Sequence, residues 1–363
     1  MSNSLFSTNI KKCGLLIGIN YLKTTSQLNG CINDCKNIKQ ILINVLNYKE
    51  EDLVVLTDDQ PHNLPTKQNI IEEIEKLVNN VKKNDIKEIW LSYSGHGSQI
   101  KDTNGDEKDG LDEVICPLDF ERNGFISDDW LFENLIKVLP NDVTLFVLMD
   151  CCHSGTILDL PYILNDGIYQ VDSKADTKNL CRTVLISGCR DEQTSADAMI
   201  DNNYSGAMSW AFIKSLKDCN FDVNMKNLII NMNKLMKDNK YSQIPTLSST
   251  KYEILQTKFC DSVIKNNEIN YIVFETSIDY WFSDAFWNVW SYEDNKWIYP
   301  NFLNFVGSYD KYIVNINLKK GNYMVVCVDK YGDGGQTIKI YNNNLLLCSL
   351  KSTGKRYEHL LTI

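Results

Sequence analysis

The chain has 363 residues, 43% of them hydrophobic, enough apolar material for two domains with real cores. Its 37 Lys and Arg stand against 47 Asp and Glu, a formal charge of -10 that argues against nucleic-acid binding and suits basic partners or cations. The 12 cysteines are scattered without a CxxC pair, and the 4 histidines do not cluster, which argues against structural zinc and for reduced, buried thiols.

The chain starts Met1 to Phe6 and reaches Lys11-Lys12 before any sustained apolar run, so no secretory leader is expected, and no apolar run is long enough to span a bilayer. A cytoplasmic protein without membrane contact is expected. Cys13 to Ile19 reads as a buried strand, and residues 31–46 as an amphipathic helix through Ile38, Ile41, Leu42, Val45 and Leu46. Leu53 to Thr57 is a second strand. Pro65-Thr66 opens a helix with the stripe Ile70, Ile71, Ile74, Leu77, Val78 and Val81, and Ile86 to Tyr93 is a third strand.

From Asp102 to Glu113 acids and glycines dominate. Val114 to Pro117 is a short strand, and a helix is expected from Asp128-Asp129 through Leu135. Thr144 to Asp150 is the strongest strand, because Leu145 to Met149 is apolar without alternation, the pattern of a strand buried on both faces. Residues 160–180 read as loop, Val184 to Ile186 as a strand, 206–217 and 225–237 as helices, and Leu247 as the centre of a last strand. Strands alternating with helices predict an α/β sandwich around a mostly parallel, six-stranded sheet.

The pattern changes near residue 260. Tyr271 to Phe274, Tyr312 to Ile316, Tyr323 to Val328, Thr337 to Ile340 and Leu345 to Leu347 are short strands between Gly and Asn turns. They predict an all-β, sandwich-like domain over 270–363 behind an α/β domain over 1–260. The aromatic clusters Tyr280-Trp281-Phe282, Phe286-Trp287 and Trp290 suit its core or a binding face, and Asp329 to Gly335 reads as a turn.

Two segments are overspecified for packing: Ser92 to Ser98, around His96, and Asp150 to Gly155, around Cys152. Both fall at carboxyl ends of predicted strands, where open α/β sheets collect catalytic groups. Adjacent residues on a strand point to opposite faces, so only one of Cys151 and Cys152 can reach His96.

These segments resemble the metacaspases, caspase-like peptidases. The resemblance is carried by Leu15 to Tyr21, Leu28 to Asp34, Tyr93 to Gln99, Asp150 to Thr156, and Ile186 to Cys189 with Asp191 to Ser195, all in family order over about residues 12–255. It implies a caspase-like three-layer sandwich with a large part at 12–160, a linker at 161–180 and a small part at 181–260. No long insert separates the parts, which resembles the type I arrangement. The 56 residues between His96 and Cys152 match the roughly 50 typical of caspases.

The resemblance further implies Cys152 as nucleophile and His96 as its acid–base partner, with the N–H groups of Gly97 and Cys152 as oxyanion hole. It places Asp34, Ser94 and Asp150 in an S1 pocket for Arg or Lys, since two close carboxylates call for a cation. It also implies a calcium site at Asp112, Asp128, Asp129 and Asp159, activation by calcium, and self-processing of a zymogen. An EF-hand over Asp102, Asn104, Asp106 and Glu113 fails because Glu107 stands where glycine is needed. The expected protein is a monomer acting on protein or peptide substrates. A catalytically silent scaffold that binds partners through its β domain is the alternative.

Overall fold

A computed structural model describes residues 4–6, 10–102, 105, 110–152, 157–158, 160–165, 168–171, 179–188, 197–200, 203–260, 269–278, 285–298, 311–319, 321–329, 336–342, 345–351 and 356–363. The chain divides into two compact units, Met1–Ile264 and Lys265–Ile363.

The first unit opens with β1 (Ser4–Phe6), β2 (Lys12–Gly18), α1 (Cys31–Asn44), β3 (Leu53–Thr57), α2 (Lys67–Asn84) and β4 (Glu88–Ser94). Next come β5 (Gly97–Lys101), β6 (Leu111–Ile115), α3 (Phe120–Asn123), β7 (Ile126–Ser127) and α4 (Asp128–Leu131), which runs into a wider turn over Phe132–Ile136. Then follow β8 (Thr144–Asp150), β9 (Tyr162–Asn165), β10 (Ile168–Val171), β11 (Arg182–Ser187), β12 (Asp197–Ile200) and β13 (Asn203–Gly206). The helices α5 (Ala207–Asp218) and α6 (Met225–Asp238) precede β14 (Thr246–Ser249) and β15 (Lys258–Cys260).

The central sheet runs β10-β9-β14-β11-β8-β4-β2-β3. Its pairs from β3 to β11 are parallel, whereas β14, β9 and β10 are each antiparallel to their predecessor. The sheet is therefore mixed and eight-stranded, not six-stranded and mostly parallel. The difference comes from Tyr162–Asn165 and Ile168–Val171, which read as loop because each strand is only four residues long. Such a run is too short to display a period.

Helices cover both faces. Leu15, Ile17, Leu91, Tyr93, Val147 and Met149 meet Ile70, Ile74, Leu77, Val78 and Val81 of α2 in one core. Thr66 caps α2 by accepting the Asn69 N–H at 3.3 Å, and Asp85 ends it in the left-handed conformation at φ 54°. On the other face Trp90 and Phe146, adjacent in register, stack at 4.5 Å and meet Phe212 of α5. Phe6 and Phe259 of the small parallel pair β1–β15 close that cluster at 5.0 Å.

At the opposite end of the strands from the site, register partners Lys12 and Glu88 form a buried ion pair of 2.7 Å. Lys12 Nζ also donates to the Leu46 carbonyl at 2.7 Å and lies over the Tyr48 ring. Among the described residues no helix is long and apolar enough to cross a membrane.

The second unit contains β16 (Ile269–Ile278), β17 (Ala285–Ser291), β18 (Lys296–Trp297), β19 (Lys311–Lys319), β20 (Asn322–Asp329), β21 (Gln336–Asn342), β22 (Leu345–Lys351) and β23 (Arg356–Thr362). They form two antiparallel sheets, β19-β16-β21-β22 and β18-β17-β20-β23. Phe274 of the first stacks on Trp287 of the second at 4.5 Å, so the sheets face each other across a core with Val289, Val325, Ile338 and Ile340. Phe286-Trp287 and Trp290 thus belong to a strand, with Trp287 inside. Tyr280-Trp281-Phe282 and the turn residues 330–335 lie outside the described residues.

Candidate active site

The site forms where β2, β4 and β8 end. Gly18 pairs with Ser94 and Ser94 with Asp150, so three strand termini stand in line. Immediately beyond them run Gly95-His96-Gly97 and Cys151-Cys152. Neither glycine can carry a side chain: a Cβ on Gly95 would lie 2.7 Å from Tyr93 Oη, and one on Gly97 would lie 2.1 Å from the Cys152 carbonyl oxygen. The structure therefore brings the His96 and Cys152 segments into direct contact.

His96 is clamped by two tyrosines. Its N–H donates to Tyr21 Oη at 3.0 Å, and its carbonyl accepts from Tyr93 Oη at 2.7 Å. The imidazole lies 4.7 Å from the Tyr21 ring, and Nε2 is 2.8 Å from the Ser26 carbonyl. A carbonyl only accepts, so Nε2 carries hydrogen, and in the neutral ring the lone pair is on Nδ1.

Cys151 is fully buried in the α2-side core with Tyr93 and Met149, whereas Cys152 retains 9% exposure. The Cys116 N–H donates to the His96 carbonyl at 3.1 Å, which makes Gly97 and Ile115 a non-hydrogen-bonded pair. The Gly97 N–H consequently points away from β6.

Beside these groups Asp34, Ser94 and Asp150 come together, all buried. Asp34 sits in the first turn of α1 and accepts from Ser94 Oγ at 2.8 Å. Its other donors come from far along the chain: Ser205 Oγ at 2.5 Å and the Gly206 N–H at 3.0 and 3.1 Å. Asp150 accepts the Ser209 N–H at 2.8 Å, capping α5 from a different strand. Burial, then the Asp150 charge, raise Asp34 to about 8, against the pull of Ser205, Ser94 and the Gly206 N–H.

An acid cluster hangs from the small sheet β5-β6-β7. Asp112, Asp128 and Asp129 each place a carboxylate oxygen within 4.8 Å of the others. Asp128 accepts the Glu113 N–H at 2.8 Å and the Asp129 N–H at 2.8 Å, and burial raises its pKa to about 7. Glu113, buried beside it, adds to that shift, so the cluster is richer in acid than its sequence reading. Hard carboxylate oxygens this crowded fit calcium. Asp159 lies outside the described residues, as do residues 153–156 and 189–196.

Ser26, Ser205, Gly206 and Ser209 carry no role in the sequence reading, and Tyr21 enters it only as the end of the segment Leu15 to Tyr21. Gly206-Ala207-Met208-Ser209 carries a weak signal, small residues at a helix start, but nothing in it names Asp34 as a partner.

Residues 11–161 match the family model "Metacaspase, peptidase C14 domain". The chain is 36% identical over 308 residues to Metacaspase-1 of Meyerozyma guilliermondii, an alignment covering 71% of this chain and 74% of that one. It is 37% identical over 300 residues to Metacaspase-1 of Debaryomyces hansenii, covering 69% and 67%. A crystal structure of a Geobacter sulfurreducens protein superposes with a TM-score of 0.50 at 22% identity, covering 69% of this chain and 98% of that one. The protein is thus a caspase-like α/β sandwich of the cysteine-type endopeptidases, with a separate β-rich C-terminal region. Within that class the chain belongs to the metacaspase family.

Proposed function

We propose that this endopeptidase cleaves after Arg or Lys through Cys152 and His96, with calcium as activator. The reading is carried by one observation: two buried carboxylates, Asp34 bonded to Ser94 and Asp150 paired with Ser94, lie at the strand ends that lead into His96 and Cys152. His96 Nδ1 takes the Cys152 thiol proton as Sγ attacks the scissile carbonyl, and it delivers that proton to the leaving amine as the carbon–nitrogen bond breaks, leaving a thioester. His96 then takes a proton from water as its oxygen attacks the thioester, the carbon–sulfur bond breaks, and the departing Cys152 thiolate recovers that proton from His96. The Ser26 carbonyl fixes the ring through Nε2–H, leaving Nδ1 for these transfers. Gly97, whose N–H turns from the β6 ladder, and Cys152 supply the oxyanion donors.

Selectivity follows from charge. A guanidinium or ammonium neutralises the acid pair, whereas an Asp side chain adds a third carboxylate to it. Peptides with Arg or Lys at P1 are expected to turn over at least about a hundredfold faster than Asp peptides, a difference of about 3 kcal/mol. Asp150→Asn should remove most of that difference, and equal turnover of Arg and Asp peptides by the wild type would refute the pocket.

Asp112, Asp128 and Asp129, with Asp159, would hold calcium, whose charge offsets their mutual repulsion. Activity after chelation should return with added calcium. Asp128→Asn should raise the calcium concentration for half-maximal activity about tenfold or more, as loss of one hard anionic ligand requires. A calcium-independent wild type removes the regulatory role.

A further inference from the structure

The acid pair is already filled by the protein itself. Asp34 Oδ1 accepts from Ser205 Oγ and the Gly206 N–H, and Oδ2 accepts from Ser94 Oγ and the same N–H. A Cβ built on Gly206 would lie 2.2 Å from Asp150 Oδ2 and 2.8 Å from Asp34 Oδ2. The backbone of Gly206 is thus in contact with both carboxylates. Its φ of -62° and ψ of 135° suit any residue, so space and not conformation demands glycine here. Gly30, just ahead of α1, seats the same segment: a Cβ there would lie 2.7 Å from the Ser205 carbonyl carbon.

A guanidinium bridging the two acids needs hydrogen-bond distances of about 2.7–2.9 Å to each. Gly206 leaves no such gap. We infer that Ser205 and Gly206, at the end of the β12–β13 hairpin, hold the place of the basic P1 side chain, and that substrate enters by displacing them. Ser205 is then a specificity-determining residue, because its hydroxyl sets how much of the enzyme presents an open acid pair. Affinity for a basic P1 side chain is reduced by the fraction of molecules that remain closed. This inference rests on the reading of Asp34 and Asp150 as the P1 pocket.

Removing the Ser205 hydroxyl deletes one latch bond to Asp34 and should enlarge the open fraction. Ser205→Ala is expected to lower KM for an Arg peptide about three- to tenfold relative to wild type. A purely structural defect would not produce this gain. An unchanged or raised KM overturns the latch. The wild type assayed in parallel on Arg and Asp peptides separates the two ideas: no preference refutes the pocket, whereas an Arg preference with unmoved KM refutes only the latch.

Should Ser205→Ala fail to fold, hydrogen exchange on the Cys152→Ala protein decides. Saturation with an Arg peptide should speed exchange of the Gly206 amide, which loses its Asp34 acceptor. Unchanged or slower exchange would overturn the displacement.

Discussion

Cys152→Ala yields a folded protein whose hydrolysis of Arg peptides falls by at least about 10⁴-fold, as loss of a nucleophile does in enzymes of this kind. The substitution removes one sulfur at the rim of the sheet and leaves the carbonyl against Gly97 untouched. Cys151→Ala is the informative partner. That thiol is buried with Tyr93 and Met149, and its removal costs packing, about 1–2 kcal/mol, but no chemistry. Kinetics and denaturant melts of both variants test the assignment. If Cys152→Ala keeps more than about a hundredth of wild-type activity, well above the residue left by removing a nucleophile, Cys152 is not the nucleophile.

The largest stability effect is expected far from the chemistry, at Glu88. Glu88→Ala strands the Lys12 ammonium among apolar neighbours, with the Leu46 carbonyl and the Tyr48 ring as its remaining contacts. Loss of one partner of a buried pair costs about 3–5 kcal/mol. Burial, the largest cause holding the Tyr48 hydroxyl well above its usual range, persists without Glu88 and disfavours its ionising to take over as counter-charge. Lys12→Met combined with Glu88→Leu should recover most of the loss, because no charge then remains buried. Urea titration of the single and double variants measures it. A single variant within about 1 kcal/mol of wild type would show that water reaches the ammonium.

The two carriers of the proposed chemistry were legible because strand periodicity reports strand ends. Thr144 to Asp150 has no alternation, which marks a strand covered on both faces, and the residue after such a strand emerges at the sheet's edge. His96 between two glycines was visible for a related reason: close packing of Tyr93 and Cys152 forbids side chains on both neighbours. What stayed hidden depended on contacts between distant segments. Ser205 is 171 residues from Asp34, and a lone serine has no pattern that names its acceptor. Glu113 matched the last position of a loop motif, although its carboxylate lies next to Asp128, which begins a different element. The hairpin β9–β10 was missed because each strand is only four residues long and lies within 160–180, a stretch read as one loop.

The strand order has a consequence for a chain that is cut. Reading from the edge, β10 and β9 precede Val171, β14 and β11 follow Leu180, and β8 and its neighbours again precede Val171. Two strands of the later piece therefore lie between strands of the earlier one, bonded to β9 on one side and to β8 on the other. Opening the backbone anywhere between Val171 and Leu180 would free two new ends without freeing either piece. The two polypeptides would stay interleaved like the fingers of clasped hands, and separating them would mean unzipping two ladders in the middle of the sheet.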